Sequence, residues 1–319
     1  MREFLAYTRV ALKEVKRSFR FAKEDETFRQ SRLEASIVRQ VHSIEKGLSI
    51  SAPRLGFGLA KLSKLFSDIE AYQALETDDL ECLKFARDAV KAYLDFHEKK
   101  KFQSEKIEEV AKKYEALKAS LKEDNESFGG VKVLNFSDLD YDVAEIEKLF
   151  LTRSSVRDFS GEPVDEEVIQ KAILLAQRSP SACNRQGVRI YSIDARQYMK
   201  ESGASLEGIG GFADAADRFL LITAKRSAYA INETNQHVVS ASMFGAYLTL
   251  ALHTYHVAAC TVQRSLMPSP VWSNLQKIHN IPEDEQIVMM LAVGNFRESA
   301  LVPESKRFSL NKIYRNLSK

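Results

Sequence analysis

Two short runs concentrate hydrogen-bond donors. Thr152-Arg-Ser-Ser-Val-Arg-Asp-Phe159 sets Arg153 and Arg157 on either side of Ser154 and Ser155; after Pro163-Val164 and one helical stretch comes Ser179-Pro-Ser-Ala-Cys-Asn-Arg-Gln186. Guanidinium forks and hydroxyls are the donors that replace the water shell of an anion. Neither run offers an obligatory acid, base or nucleophile, so a site built from them would bind and orient a reactive molecule. An isolated Arg-Ser-x-x-Arg usually only solvates a surface, and the weight rests on the ordered ensemble.

Three further features carry residue types capable of chemistry. His42 and Glu45 in His42-Ser-Ile-Glu-Lys-Gly-Leu48 share a helical face, but a metal would need more ligands and only His97-Glu98 offers them. A hydrogen-bonded histidine, or a helix end closed by Gly47, is the expectation, and no metal site is assigned. Arg54, in the Pro53-Arg-Leu-Gly-Phe-Gly58 loop, is a candidate for substrate recognition. Cys82, Cys183 and Cys260 are odd in number and form no CxxC pair, which argues against zinc or a redox dithiol and suits a reducing cytoplasm.

The elements that must hold these residues fall into two regions, as 319 residues allow. Residues 1–122 have few glycines and apolar residues recurring at three and four, a pattern for successive helices: Leu62, Leu65, Phe66, Ile69 and Tyr72 form one stripe. The polar stretch Glu123 to Gly130 reads as a linker, giving a helical N-terminal region over 1–130 and a second domain over 131–319. There the pattern alternates. Helices are expected at Asp142–Leu151, Asp165–Gln177 and Asn235–His256, and strands at Val156–Phe159, Val188–Ile193, Phe219–Thr223 and Ile287–Val293.

Forty-six basic against 44 acidic residues leave a net charge of +2, so nothing draws the chain towards nucleic acid. The apolar Phe4, Leu5, Val10 and Leu12 are interrupted by Arg9, Lys13, Lys16 and Arg17 before they could form a signal segment. That basic first helix could lie on an acidic membrane surface, though a solvated face is the simpler reading. No stretch approaches the roughly 20 apolar residues of a membrane span; Val238 to Leu252 is too short.

The ensemble resembles the nitroreductase family, whose members begin with Arg-x-Ser-x-Arg/Lys-x-Phe, continue through Pro-Val and a helix, and reach a Pro-Ser-x-x-Asn-x-Gln loop. The likeness extends over the last 180 or so residues, through the long helix, a turn at Ala258-Ala-Cys-Thr261, Ile281-Pro-Glu-Asp-Glu285, and basic residues near Arg307. It implies an α+β fold, a three-layer sheet flanked by helices, preceded here by the all-helical region. It also implies bound FMN. By that likeness Arg153, Ser154 and Ser155 meet the phosphate, with Lys306 and Arg307 returning to it from the C-terminal end. Arg157 reaches the pyrimidine or ribityl side, Pro180, Ser181, Asn184 and Gln186 line the flavin pocket, and Ala259 and Cys260 pass near it, Cys260 as a small filler. Gly187-Val188 replaces the frequent Pro-Trp, so local packing must differ, and Gly208-Ile-Gly-Gly-Phe-Ala213 lacks the side chains some relatives place beside the flavin.

The implied enzyme is a cytoplasmic homodimer in which NADH or NADPH reduces the flavin and a small nitro, quinone or similar acceptor reoxidises it. No Gly-x-Gly-x-x-Gly fingerprint accompanies it, so the nicotinamide would visit the flavin pocket directly. Other flavin reactions, such as dehalogenation, dehydrogenation or flavin breakdown, and a non-catalytic scaffold at a membrane surface are the competing readings.

Overall fold

The computed structural model describes residues 2–122, 126–202, 209–263 and 270–318. Val10 and Gly208, and residues 123–125 of the linker, lie outside the residues or side chains described. The N-terminal region is helical throughout: α1 (Arg2–Phe19), α2 (Arg29–Leu48), α3 (Leu59–Gln73), α4 (Glu81–Lys99) and α5 (Glu105–Ala119). The apolar stripes of α2 to α5 meet in one core, with Ile37 and Ile44 packed among Leu62, Leu65, Leu83 and Tyr93. Burying such side chains contributes about 1.5–3 kcal/mol each.

Gly47 lies inside α2 and does not cap it; Ser49 ends the helix, its N–H donating to the Glu45 carbonyl at 2.9 Å. A Cβ at Gly47 would collide with the Phe57 ring, so the glycine lets the Pro53–Gly58 loop lie flat on the helix. The expected linker is also docked. Phe128 N–H donates to Asp88 Oδ2 at 2.7 Å and Gly130 N–H to Glu45 Oε1 at 2.9 Å, which ties the segment to α4 and α2.

The second region is α6 (Val143–Thr152), α7 (Glu166–Ala176), β1 (Val188–Asp194), α8 (Ala195–Ser202), β2 (Arg218–Lys225), α9 (Gln236–Thr254), β3 (Val257–Gln263), α10 (Pro270–Ile278), β4 (Glu285–Asn295) and α11 (Leu310–Ile313). The four strands form an antiparallel sheet in the order β1-β2-β4-β3. Side chains alternate between its faces. Phe219, Leu221, Met290 and Ala292 point into a core closed by Tyr198 of α8 and Trp272 of α10. Leu220, Ile222, Leu291 and Val293 face α7 and α9. The three-layer α+β arrangement follows. At Gly245 a Cβ would strike Met289, so this glycine sets how closely α9 rides on the sheet.

Two sequence expectations need correcting. Val156–Phe159 is not a strand: it makes one isolated bridge, Phe159 to Phe296. Ala258–Thr261 is no turn but the middle of β3, paired with β4 from Val257↔Asn295 to Gln263↔Met289. Its small residues hid an edge strand whose Ala258 and Cys260 alternate into the core.

The halves meet where α2 and the end of α1 approach the chain between β2 and α9. Ala35 packs on Ala228 and Tyr229, and Lys225 Nζ donates to Ser31 Oγ at 3.1 Å and faces Glu34 at 3.8 Å. Arg226 is buried between Glu14 of α1 and Gln286 of β4, donating to both.

Candidate functional site

The Arg153–Arg157 segment leaves the end of α6 in extended conformation. Val156 N–H donates to the Ala259 carbonyl at 3.1 Å, and the Val156 and Phe159 side chains are buried beside Ala258 and Cys260. These anchors hold Arg153, Ser154 and Ser155 half-exposed at the β3 edge, with Arg157 more open and its guanidinium 5.9 Å from the Phe212 ring. Neither arginine has a carboxylate partner among the described residues. Nearby arginines do: Arg297 takes Asp158 at 2.6 Å, and Arg218 takes Asp217 at 2.7 Å and Glu166. His253, at the end of α9, shares a 2.9 Å hydrogen bond with Thr152 Oγ1, and burial, aided by the Arg153 charge, lowers its pKa. Burial raises the Cys260 thiol, with Arg157 pulling the other way. The edge is therefore poor in negative charge and rich in free donors, which suits an anion.

The Pro180–Gln186 loop is built under backbone strain. Cys183, Asn184 and Gln186 all have left-handed φ, at 52°, 53° and 50°, each costing a non-glycine residue about 1–2 kcal/mol. Such outliers persist only where their surroundings impose them. Here Ser181 receives the Asn184 N–H on its carbonyl at 3.0 Å and the Gln186 N–H on its hydroxyl at 3.2 Å. Arg185 is the deeper anchor: it is 7% exposed, grips both Glu233 oxygens at 2.5 and 2.8 Å, donates to the Ala228 carbonyl at 3.0 Å, and lies 4.8 Å from the Tyr229 ring. Its hydrogen bonds hold the Glu233 carboxyl below the usual range. Gly187 is held in the next turn by Lys225 N–H, which bonds its carbonyl at 2.8 Å.

A cavity of about 540 Å³ opens beside this loop, between the helical region and the sheet. Glu34, Val38 and Phe85 line it from the helical side, and Ser181, Gln186 and Phe244 from the other. Burial pushes the thiol of Cys82, also in its wall, up to about 12, so it stays protonated and offers no nucleophile at neutral pH.

Residues 151–295 match the nitroreductase family. This part of the chain belongs to it. Solved structures similar to the chain include an FMN-dependent nitroreductase from Clostridium difficile (17% identity, 53% of this chain and 97% of that one, TM-score 0.45). A Desulfovibrio desulfuricans chain solved in complex with FMN shares 19% identity over 55% of this chain and 96% of its own, TM-score 0.45. A nitroreductase-like protein from Streptococcus mutans shares 14% over 56% and 100%, TM-score 0.47. No curated protein matches.

Within the nitroreductase domain the candidate residues fall into separate groups. Arg153, Ser154, Ser155 and Arg157 come together with half-buried Ala259 and buried Cys260 at the β3 edge. Pro180, Ser181, Asn184 and Gln186 gather at the other end of α9, where Ala182 N–H donates to Ser240 Oγ at 3.4 Å; from Ser240 to His253 the helix rises about 20 Å. Lys306 and Arg307 sit on an exposed arm, where Lys306 faces Glu304 at 3.4 Å and Arg307 bonds the Ser305 carbonyl. Arg54 is exposed on a loop fixed to α4 by Gly56 N–H donating to His97 Nε2 at 2.9 Å, beyond the C-terminal end of α2. It does not reach the cavity, which meets the N-terminal half of that helix. His97 Nδ1 donates to the Tyr93 carbonyl at 2.8 Å, so both ring nitrogens serve the core. Glu45 is taken up by Gly130, and no metal-binding cluster occurs among the described residues. Arg185 and Glu233 were missed from sequence, since nothing local links residues 48 apart.

Proposed function

We propose that the chain is an FMN-dependent oxidoreductase that takes electrons from NADH or NADPH and delivers them to a small organic acceptor, such as a nitroaromatic or a quinone. The observation that carries this reading is the pair of guanidinium groups, Arg153 and Arg157, left without carboxylates at the β3 edge of a nitroreductase-family domain. Unpaired cations beside two serine hydroxyls fit the dianionic phosphate and electron-rich ring system of FMN. Bound flavin would supply reversible two-electron transfer, in ping-pong order. Arg153, Ser154 and Ser155 would hold its phosphate and Arg157 would place positive charge by its ring or ribityl chain. The strained Pro180–Gln186 loop would set Ser181, Asn184 and Gln186 against a flavin without adjusting on binding, since Arg185 and Ser181 already fix its backbone.

The reading includes a homodimer. Apolar side chains remain open on α9 (Val239, Met243, Tyr247), on the approach to α6 (Phe136) and on the C-terminal arm (Phe308, Leu317). A second copy covering them would form an interface above ~2,000 Å², and would let the α9-end loop of one protomer meet the arginine edge or basic arm of the other. The division into 1–130 and 131–319 belongs to the same reading; the helices α2 to α5 pack a core of their own, and a small cluster of Ala35, Ala228 and Tyr229 joins the two sides. Three free cysteines suit a cytoplasmic setting.

The test is the visible absorption spectrum of the purified protein, then NADH or NADPH addition under nitrogen. Two flavin bands that bleach on reduction and return with a quinone are expected. Protein that stays colourless after incubation with excess FMN would refute the proposal.

A further inference from the structure

The first helix differs from every other helix of the N-terminal region. Helices α2 to α5 bury their apolar stripes in a shared core, whereas α1 leaves Phe4, Leu5, Leu12, Val15 and Phe19 exposed at 73%, 52%, 57%, 63% and 42%. At about 100° of rotation per residue these five fall within one sector of about 100°, which they share with exposed Thr8, whose hydroxyl bonds back to the Phe4 carbonyl at 2.8 Å. The charges are segregated too. Glu14 turns inward to Arg226, while Lys16 and Arg9 project just outside one edge of the stripe and Lys13 further round on the same side, all three exposed and without an ion pair among the described residues. An exposed apolar stripe bordered by cations of one sign fits the boundary between acyl chains and anionic headgroups, where the stripe is dry and the long basic side chains reach outward. No described helix is long and apolar enough to cross a membrane, so contact would be in the plane.

We propose that α1 anchors the protein on an anionic lipid surface, with Phe4, Leu5, Leu12, Val15 and Phe19 in the interface and Arg9, Lys13 and Lys16 at the phosphate level. The anchor is independent of the flavin reading, because α1 meets the second region through Glu14 and the turn that follows it does so through Arg20, and among the described contacts neither touches a candidate cofactor residue. It would hold the nitroreductase domain beside lipid-soluble molecules.

The test uses the full chain in co-sedimentation with phosphatidylcholine vesicles, with and without phosphatidylglycerol. Binding to the phosphatidylglycerol vesicles alone, weakened by salt, is expected. The triple variant Arg9→Gln, Lys13→Gln, Lys16→Gln should lose roughly a hundredfold in partition. The variant Leu12→Gln, Val15→Gln should also lose vesicle binding while still binding soluble heparin, which separates insertion from simple attraction. All five positions are exposed, so unchanged melting temperatures are expected to accompany both losses. No binding of the full chain to phosphatidylglycerol vesicles, or equal binding by the Leu12/Val15 variant, overturns the proposal. A change in oligomeric state of that variant without lipid also overturns it, since a second copy would then be what covers the stripe.

Discussion

Arg185 and Arg153 stand in the two donor-rich runs of the sequence, yet they are used in opposite ways. Arg185 is buried, forked onto Glu233 and packed against Tyr229. Arg153 is half-exposed, with no carboxylate among the described residues. A paired, buried guanidinium has spent its terminal N–H groups on architecture, only Nε of Arg185 being left without a partner among the described residues, and an unpaired one at an anchored edge keeps its donors for something else. The difference separates a residue that shapes the site from one that would touch the ligand.

The largest expected effect breaks the buried member. Arg185→Ala would strand Glu233 and remove the clamp on three left-handed residues, costing about 3 kcal/mol and lowering the melting temperature by about 5–10 °C. Arg153→Ala should stay within about 0.5 kcal/mol of the parent, as surface changes do. Calorimetry of both variants decides; similar melting temperatures would mean that burial and pairing do not distinguish the two arginines.

A pH experiment sharpens the comparison at the other buried arginine. His237 donates through Nε2 to Gln286 Oε1 at 3.0 Å, the oxygen that also receives Arg226. Burial, then the Arg226 charge, lowers its pKa to about 4, against the opposing hydrogen bond to Gln286 and the charge of Glu14. The unfolded chain, with histidine near 6.5, takes up the proton first. Stability is therefore complete above about pH 6.5 and falls as pH drops towards 4, by up to about 3 kcal/mol. Asp284, raised by burial, acts in the opposite sense in the lower part of this range, so the useful quantity is the difference between parent and variant. Denaturant titrations of parent and His237→Gln should diverge in pH slope below 6.5; parallel slopes would remove His237 from the account.

Ligand binding tests the unpaired member. Arg153→Ala should weaken FMN binding roughly ten- to a hundredfold, the loss of one charge-assisted contact. Arg185→Lys, which keeps the charge but loses the fork, should weaken it less and mainly through the loop. Fluorescence titration of FMN with each variant measures both; unchanged affinity in Arg153→Ala would take the phosphate away from this edge.

How much of this was legible beforehand depended on how local the cause was. β2 and β4 announced themselves through unbroken runs such as Phe219-Leu-Leu-Ile222, because strands covered on both faces need apolar residues at every position. β3 did not, since Ala258-Ala-Cys-Thr261 is small enough to pass for a turn and its pairing with β4 is tertiary. The arginine and serine runs could be picked out as donors, but which arginine was free could not, because Glu233 and Asp158 choose their partners only in the folded chain. The surroundings of Arg54 were hidden for the same reason. Its loop looked available, and Gly47, Phe57 and His97 hold it to the helical core.

The smallest expected effect concerns the helical region. Every residue matched to the flavin lies between Arg153 and Arg307, and the helical contacts fall on the Arg185 side: Ala35 on Tyr229, Lys225 on Ser31, Arg226 on Glu14. Among the described residues none falls on Arg153 or Arg157. A chain starting at Val131 would uncover Arg226 and one wall of the 540 Å³ cavity, and would lose stability accordingly. Its affinity for FMN should nonetheless change by less than about threefold, since the phosphate contacts are untouched and a fold-change of that size is below 1 kcal/mol. Quinone or nitroaromatic reduction should persist or rise, because the cavity wall that Glu34, Val38 and Phe85 provide would no longer restrict bulky acceptors. If the shortened chain folds as a dimer but emerges colourless, the helical region contributes to the cofactor site, and the contrast between a shaping side and a binding side is drawn in the wrong place. If it does not fold, the boundary at residue 130 is wrong, because Arg226 and Tyr229 then depend on α1 and α2 for their burial.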